Sequence, residues 1–428
     1  MWRLRGCLKL RCESWGPYPL HCVATPGTSP AAPPVPAALF LLQKEANLAN
    51  IIDYIDWRGD IDFTASPFNE IDAVILCQIT YLNFEGLIPS EFCKKGVTLR
   101  QIAQSFSAAP DVEDRSDTGA LINRETFDLF IKAANSNRFG SIEASGFVNK
   151  IDLQKEEQFA AATFRIRKAG KKNPSVCIVY RGTDDTIVGW KEDFNLGYKE
   201  TVPAQKDALE YLEKAASFFA GRISIAGHSK GGNLAIYAAV NAGKKIQNRL
   251  FTVYNNDGPG FSEDFFRTEE YLGIREKIRS YFPQLSIIGM LFCHDSVYTT
   301  VESDNEGLYQ HDPFSWHTQA LNFVRKEDTT EQSKFIASTV NQWIQEIPTE
   351  EREVFIEAIF SVLNSTKART NSELSSNIFS SAKTMFKSYS RLSPQTRNTV
   401  GKVLQLLFKV SVSNIESSGL STALGFKD

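Results

Sequence analysis

The sequence predicts an α/β fold on a doubly wound, mostly parallel sheet, with a helical portion ahead of it and a helical extension behind. Three observations carry this reading. Between about 145 and 325, strand-like apolar runs alternate with amphipathic stretches of helical length. Among these runs, Val176 to Tyr180 is apolar throughout, as strands buried on both faces are. Another passes straight into a glycine-rich turn and a helix. Strands so spaced form parallel βαβ units with right-handed crossovers.

Taken in order, Ala162-Thr163-Phe164-Arg165-Ile166 alternates as a strand does, and Ser175 to Tyr180 is continuously apolar after its first residue. A helix is expected over 204–220, with Ala208, Leu212 and Ala215 along one side. Arg222 to Ala226 is the next strand, and Leu234 to Val240 lies in the next helix. Leu250 to Tyr254, Lys277 to Tyr281 and Val297 to Val301 follow as strands. Chemistry in such sheets sits at the carboxyl ends of the strands.

The flanks read differently. Residues 1–47 hold seven of the 17 prolines and three of the seven cysteines. The tract Ala24 to Pro36 is too rich in proline and small residues for helix or strand. Arg3, Arg5, Lys9 and Arg11 make a basic start, but no apolar stretch of signal-peptide length follows them. The expectation is a disordered leader, or an extension foreign to the natural product. Ile51 to Trp57 has helical spacing and stops at Gly59. Residues 66–134 read as mostly helical, most clearly at 69–76 and 99–103. The expected division is 1–47 leader, 48–328 α/β domain with a helical portion over 48–144, and 329–428 helical region.

Composition narrows the function. The chain has 428 residues, 42% of them hydrophobic, so a sizeable core is available. Its 47 basic and 50 acidic residues leave a net charge of −3, unlike the basic surplus of nucleic-acid binders. No apolar run approaches the ~20 residues that span a bilayer. The sparse cysteines form no C-x-x-C pair, which fits a reducing, cytoplasmic setting. Neither an H-E-x-x-H pattern nor a phosphate-cradling glycine loop occurs, so no metal or cofactor is expected.

The turn after the Arg222 strand is Gly227-His228-Ser229-Lys230-Gly231, a G-x-S-x-G elbow. A strand reversing directly into a helix forces its central residue into strained φ/ψ. The residues two before and two after then tolerate no Cβ. Ser229 is the expected nucleophile, lifted above the helix N-terminus, and the Lys230 backbone N–H is the first oxyanion donor. The Lys230 side chain should point elsewhere, so no Ser–Lys dyad is read.

Tyr180-Arg181-Gly182-Thr183, with Trp190 and Asp193 beyond it and Gly227 to Gly232 downstream, resembles the class 3 (fungal-type) lipase branch of the α/β hydrolases. More closely, it resembles a bacterial lipase-like family of unknown function, from about Asn50 past Trp316. The resemblance implies the α/β-hydrolase fold, and a second oxyanion donor that falls on Thr183. A backbone N–H and a hydroxyl there can both face the oxyanion.

The general base is sought among five histidines. His21 lies in the leader, and His228 is inside the elbow and cannot turn back to Ser229. His311, in the turn-like segment Leu308 to Phe314, is preferred over His294 and over His317, which is read as a helix start. The resembling lipases place their acid in an Asp-x-Val-Pro-like turn, but Phe282 to Gly289 holds no carboxylate. Asp257, where Val253 to Asn256 ends in Asp-Gly-Pro-Gly, is the expected acid, with Asp295 second. Leu285 to Phe292 is an acyl-pocket lining or plain core, and Asp184 to Gly189 a candidate lid.

Beyond 328 the pattern is helical around 335–344, 354–360 and 402–408, with a Ser/Asn-rich joint near 371–381. These stretches should pack on the main domain or on each other. A membrane-surface helix is the less favoured expectation, since no strong basic face accompanies the apolar one. The functional expectation is a serine hydrolase of the lipase/esterase type, cleaving a lipid-like carboxylic ester through an acyl-enzyme. The rivals are a catalytically weak binding scaffold and an acyltransferase using the same residues.

Overall fold

Among the described residues, regular structure starts at two asparagines. Asn50 and Asn69 each cap the helix that follows, α1 (Ile51–Arg58) and α2 (Glu70–Ile79), in reciprocal boxes closed by Asp53 and Asp72. The computed structural model describes residues 49–418 apart from 120–121, 168–169, 171–172 and 377, so the expected leader and His21 lie outside the described residues. The N-terminal helical portion continues through α3 (Leu99–Ser107), α4 (Val112–Ser116) and α5 (Thr126–Asn135), with the short strand β1 (Val97–Thr98) before α3. Its buried charges are satisfied: Arg138 forks onto Asp72 at 2.7 and 2.5 Å, and Glu70 accepts from the Tyr281 hydroxyl at 2.8 Å.

The sheet follows. Its strands are β2 (Glu143–Asp152), β3 (Glu157–Ile166), β4 (Ser175–Tyr180), β5 (Ile223–His228), β6 (Leu250–Asn256), β7 (Ile278–Pro283) and β8 (Thr299–Val301). A small hairpin, β9 (Thr318–Gln319) with β10 (Asn322–Phe323), precedes β11 (Arg325–Lys326). The nine-stranded order is β1-β2-β3-β4-β5-β6-β7-β8-β11. Pairs from β4 to β8 are parallel, and those at either edge are antiparallel. The expected mixed α/β architecture with a parallel centre is therefore present. His317 begins no helix; it precedes β9, where Thr318 enters a hairpin.

The helices among the strands are α6 (Ile187–Asn195), α7 (Pro203–Phe218), α8 (Lys230–Asn241), α9 (Lys244–Gln247) and α10 (Glu269–Leu272). Each central strand feeds two cores, because successive side chains point to opposite faces. Val176, Ile178 and Tyr180 of β4 pack with α7 and α8, while Cys177 and Val179 pack with the N-terminal helices. That second layer comes from α2, every residue of which is buried. The apolar run that predicted the helix has no solvent face to spare.

Beyond the sheet lie α11 (Glu331–Glu346), α12 (Thr349–Asn364), α13 (Asn371–Ser376), α14 (Ile378–Arg391) and α15 (Pro394–Ser418). The joint read near 371–381 thus contains helix. Phe355, Ile356, Phe360, Val400 and Val403 form a core of their own that takes in Ile187 of α6.

Candidate active site

Ser229 is the single residue between β5 and α8. Its φ of 58° and ψ of −133° lie where a non-glycine residue carries about 1–3 kcal/mol of strain. The surroundings hold it there. A Cβ on Gly227 would run into the Gly231 carbonyl, and one on Gly231 into the Tyr180 carbonyl. The Ser229 N–H donates to the Asn256 carbonyl at 3.0 Å, and its own carbonyl accepts from Gly232 at 2.8 Å. The side chain is half-buried.

β6 lies parallel beside β5, with His228 level with Asn256. Ser229 and Asp257 therefore leave adjacent strand ends together. Asp257 sits at φ 51°, a left-handed conformation that Asp adopts more readily than most residues. Its carboxylate is 1% exposed. One oxygen accepts from the Ser286 hydroxyl at 2.5 Å and the other from His311 Nδ1 at 2.6 Å.

His311 ends a short 3-10 turn, Gly307–His311. Trp316 Nε1 donates to the Gln310 carbonyl at 2.8 Å, and Asn123 donates to Asp312 at 2.8 Å, so both sides of the turn are fixed. The imidazole packs against that of His228, ring centroids 4.5 Å apart and planes tilted by 31°. His228 Nε2 lies 2.8 Å from the His311 carbonyl, which can only accept, so Nε2 bears the proton and Nδ1 accepts from the Tyr81 hydroxyl at 3.2 Å. Burial, then the neighbouring His311, pushes the His228 pKa well below its ordinary value. It is a neutral plate against His311.

With Nδ1 donating to Asp257, His311 presents Nε2 as its basic lone pair. No hydrogen bond joins Ser229 Oγ to this ring among the described residues; such bonds often tighten only when substrate is bound. The Lys230 and Thr183 backbone N–H groups have no carbonyl partner among the described residues. Gly182 packs so closely that a Cβ there would lie 3.0 Å from that of Ser229. No group of three or more His, Cys, Asp or Glu able to hold a metal ion occurs among the described residues.

A family model described as Mbeg1-like matches residues 133–361, just over half of the chain, from within α5 nearly to the end of α12. The chain belongs to the Mbeg1-like family. No curated protein matches it. Among solved structures, M37 lipase aligns at 14% identity over 53% of this chain and 70% of its own, with a TM-score of 0.32. Ser229, Asp257 and His311 all lie within the segment that the family model matches.

The remaining expected residues of this Mbeg1-like chain have other neighbours. His294 packs against Phe282 and Tyr298, and burial lowers its pKa. Asp295 accepts from Arg275 at 2.5 and 2.6 Å and from Tyr271 at 2.6 Å, and this holds its carboxyl well below the usual range. Neither bonds to Ser229, Asp257 or His311 among the described residues. His317 Nε2 lies 2.6 Å from Asp304. The Thr183 hydroxyl donates to Asp193 at 2.6 Å. Its only proton is thus committed, and the backbone N–H is what Thr183 has left for an oxyanion.

Several supporting residues were beyond sequence reasoning. The Lys230 ammonium turns beneath the elbow and donates to the Gln158 carbonyl and side chain, at 2.9 and 2.7 Å, and to Glu192 at 2.9 Å. Both charges are buried. Asp193 is half-buried beside this pair with one carboxylate oxygen out of reach of solvent, and desolvation raises its pKa to about 6 against the pull of Lys230. Ser286, in an irregular loop, carries no pattern that would single it out. The segment read as a lid starts α6, and Asp185 and Ile187 are bonded to residues 369–372: Ile187 N–H to the Arg369 carbonyl, Asn371 N–H to the Asp185 carbonyl and Ser372 N–H to its carboxylate, all within 3.0 Å.

Proposed function

We propose that this protein is a serine hydrolase that cleaves a carboxylic, lipid-like ester through an acyl-enzyme. Ser229 Oγ attacks the ester carbonyl while His311 Nε2 takes its proton. Asp257 holds the ring and stabilises the imidazolium. The backbone N–H groups of Lys230 and Thr183 receive the oxyanion. The imidazolium then returns the proton to the leaving alkoxide, and water repeats the sequence to free the acid. The observation that carries this reading is the strained, half-buried Ser229 beside a buried carboxylate that already orients an imidazole. The half-buried Ile287, Ile288, Leu291 and Phe292, on the loop that carries Ser286, supply apolar surface suited to an acyl chain. The catalytic unit is assigned to 48–328, and the sparse cysteines fit a cytoplasmic setting.

The test is labelling of the native protein by a fluorophosphonate, with Ser229→Ala as control. Labelling confined to the native protein is expected. A folded native protein that never labels sinks the proposal in favour of a binding scaffold, a reading that the missing hydrogen bond from Ser229 to His311 favours. Transfer to an acceptor other than water would appear as ester exchange when alcohols compete.

A further inference from the structure

α14 is turned inside out. At 100° per residue, Phe379, Ala382, Phe386 and Tyr389 share one face, and all four are exposed. Phe379 is 91% and Phe386 76% exposed. The inward side is carried instead by Ser381, Thr384, Met385 and Ser388, buried or half-buried. A soluble helix normally does the reverse. On α15, Leu404 and Phe408, one turn apart, are exposed as well, while Val400, Val403 and Val410 are buried.

Charge says what would cover the outward face. From 374 to 415 there is no Asp or Glu, but there are Lys383, Lys387, Arg391, Arg397, Lys402 and Lys409. The whole chain is net negative, so this positive stretch is a local departure. None of the six makes an ion pair among the described residues. Lys383 and Lys387 flank the phenylalanine face on one side, where long stems can run along apolar surface and lift their ammonium groups to anions. Basic residues bordering an aromatic face are the makeup of a helix that lies in a membrane interface. A protein partner of ordinary composition would explain the phenylalanines but not the absence of acids over 42 residues.

We propose that α14, with the exposed pair on α15, docks this protein on an anionic bilayer surface. The phenylalanines enter the headgroup–acyl boundary, and the lysines meet lipid phosphates and carboxylates. Ser372, bonded to Asp185 beside the oxyanion turn, is seven residues before Phe379, a span of at most roughly 25 Å. The docking face is therefore tethered close to the candidate site. The inference goes beyond the hydrolase reading and does not depend on it.

The test is co-sedimentation of the full chain with vesicles of phosphatidylcholine alone or with one third phosphatidylserine, at low and high salt. Binding confined to the anionic vesicles and weakened by salt is expected. Phe379→Ser with Phe386→Ser should cut it about tenfold or more, with an unchanged melting curve. Lys383→Gln and Lys387→Gln should each weaken it roughly fivefold at low salt. Ser229→Ala should bind as the native protein does, which separates docking from catalysis. Absence of binding to anionic vesicles overturns the proposal, as does a double phenylalanine variant that binds undiminished. If instead the native chain is a dimer that binds no vesicle and the double variant a monomer, the face belongs to a second copy.

Discussion

Replacing Asp257 with Asn probes the candidate site more sharply than removing its serine. The carboxylate accepts two hydrogen bonds, from Ser286 Oγ and from His311 Nδ1. An asparagine keeps the volume and can still accept from Ser286. The atom it then turns towards the ring is an NH2, which donates. Nδ1 must accept that bond, so the proton moves to Nε2, and the ring loses the lone pair that would take the Ser229 proton. The charge that would steady the imidazolium is lost as well. Together these should lower kcat/KM by about 10³ to 10⁴, or 4 to 5.5 kcal/mol of transition-state stabilisation. Ser286→Ala removes only the second bond to the carboxylate and should lower the rate by about tenfold or less. The assay is hydrolysis of a short-chain p-nitrophenyl ester alongside fluorophosphonate labelling, with melting curves to show that both variants fold. Asp257→Asn retaining more than a tenth of native activity would refute the assignment of Asp257 as the acid.

Lys230→Met should be a stability variant rather than a catalytic one. It deletes three hydrogen bonds and leaves Glu192 a buried carboxylate that, among the described residues, faces only the N–H groups of Gln158 and Ala204, at about 3–5 kcal/mol. Adding Glu192→Gln should recover part of this in urea unfolding; an unchanged unfolding midpoint in the single variant contradicts the ion pair. Asp193 has a folded-state pKa raised by burial to about 6. Its contribution to stability is therefore greatest below the ordinary carboxylate range and is lost as pH rises through 6. Relative to the native protein, Asp193→Asn should gain up to about 2–3 kcal/mol between pH 4.5 and 7.5, and a gap that stays flat with pH would count against the buried, ionising carboxylate.

β5, β6 and β7 were legible because their apolar runs end at Gly227, Asn255 and Pro283. β2 was not, since Gly146, at φ 69°, sits within a register shift between Ser145 and Val148 that interrupts its alternation. The elbow was legible because its glycines are steric necessities that leave a signature. Hydrogen bonds made across the fold leave none. Nothing around Ser286, Asn123 or Tyr81 announces that they bond to Asp257, Asp312 and His228 from 29, 189 and 147 residues away. Helical periodicity in α14 marks a phenylalanine face, but only packing decides whether it turns inward or out. His317 was misread because the segment after Trp316 has too few residues for periodicity to separate a helix from a two-residue hairpin strand.

The bonds between residues 369–372 and the start of α6 bear on how the gene can be cut. A fragment ending with the last sheet strand at Lys326 would strip Ile187 of its apolar cover and leave Asp185 and the Ile187 amide to water, next to Thr183. Such a trimmed chain would keep its strands yet let the loop beside Ser229 fray. Anyone seeking a minimal version should retain the chain at least through Ser372.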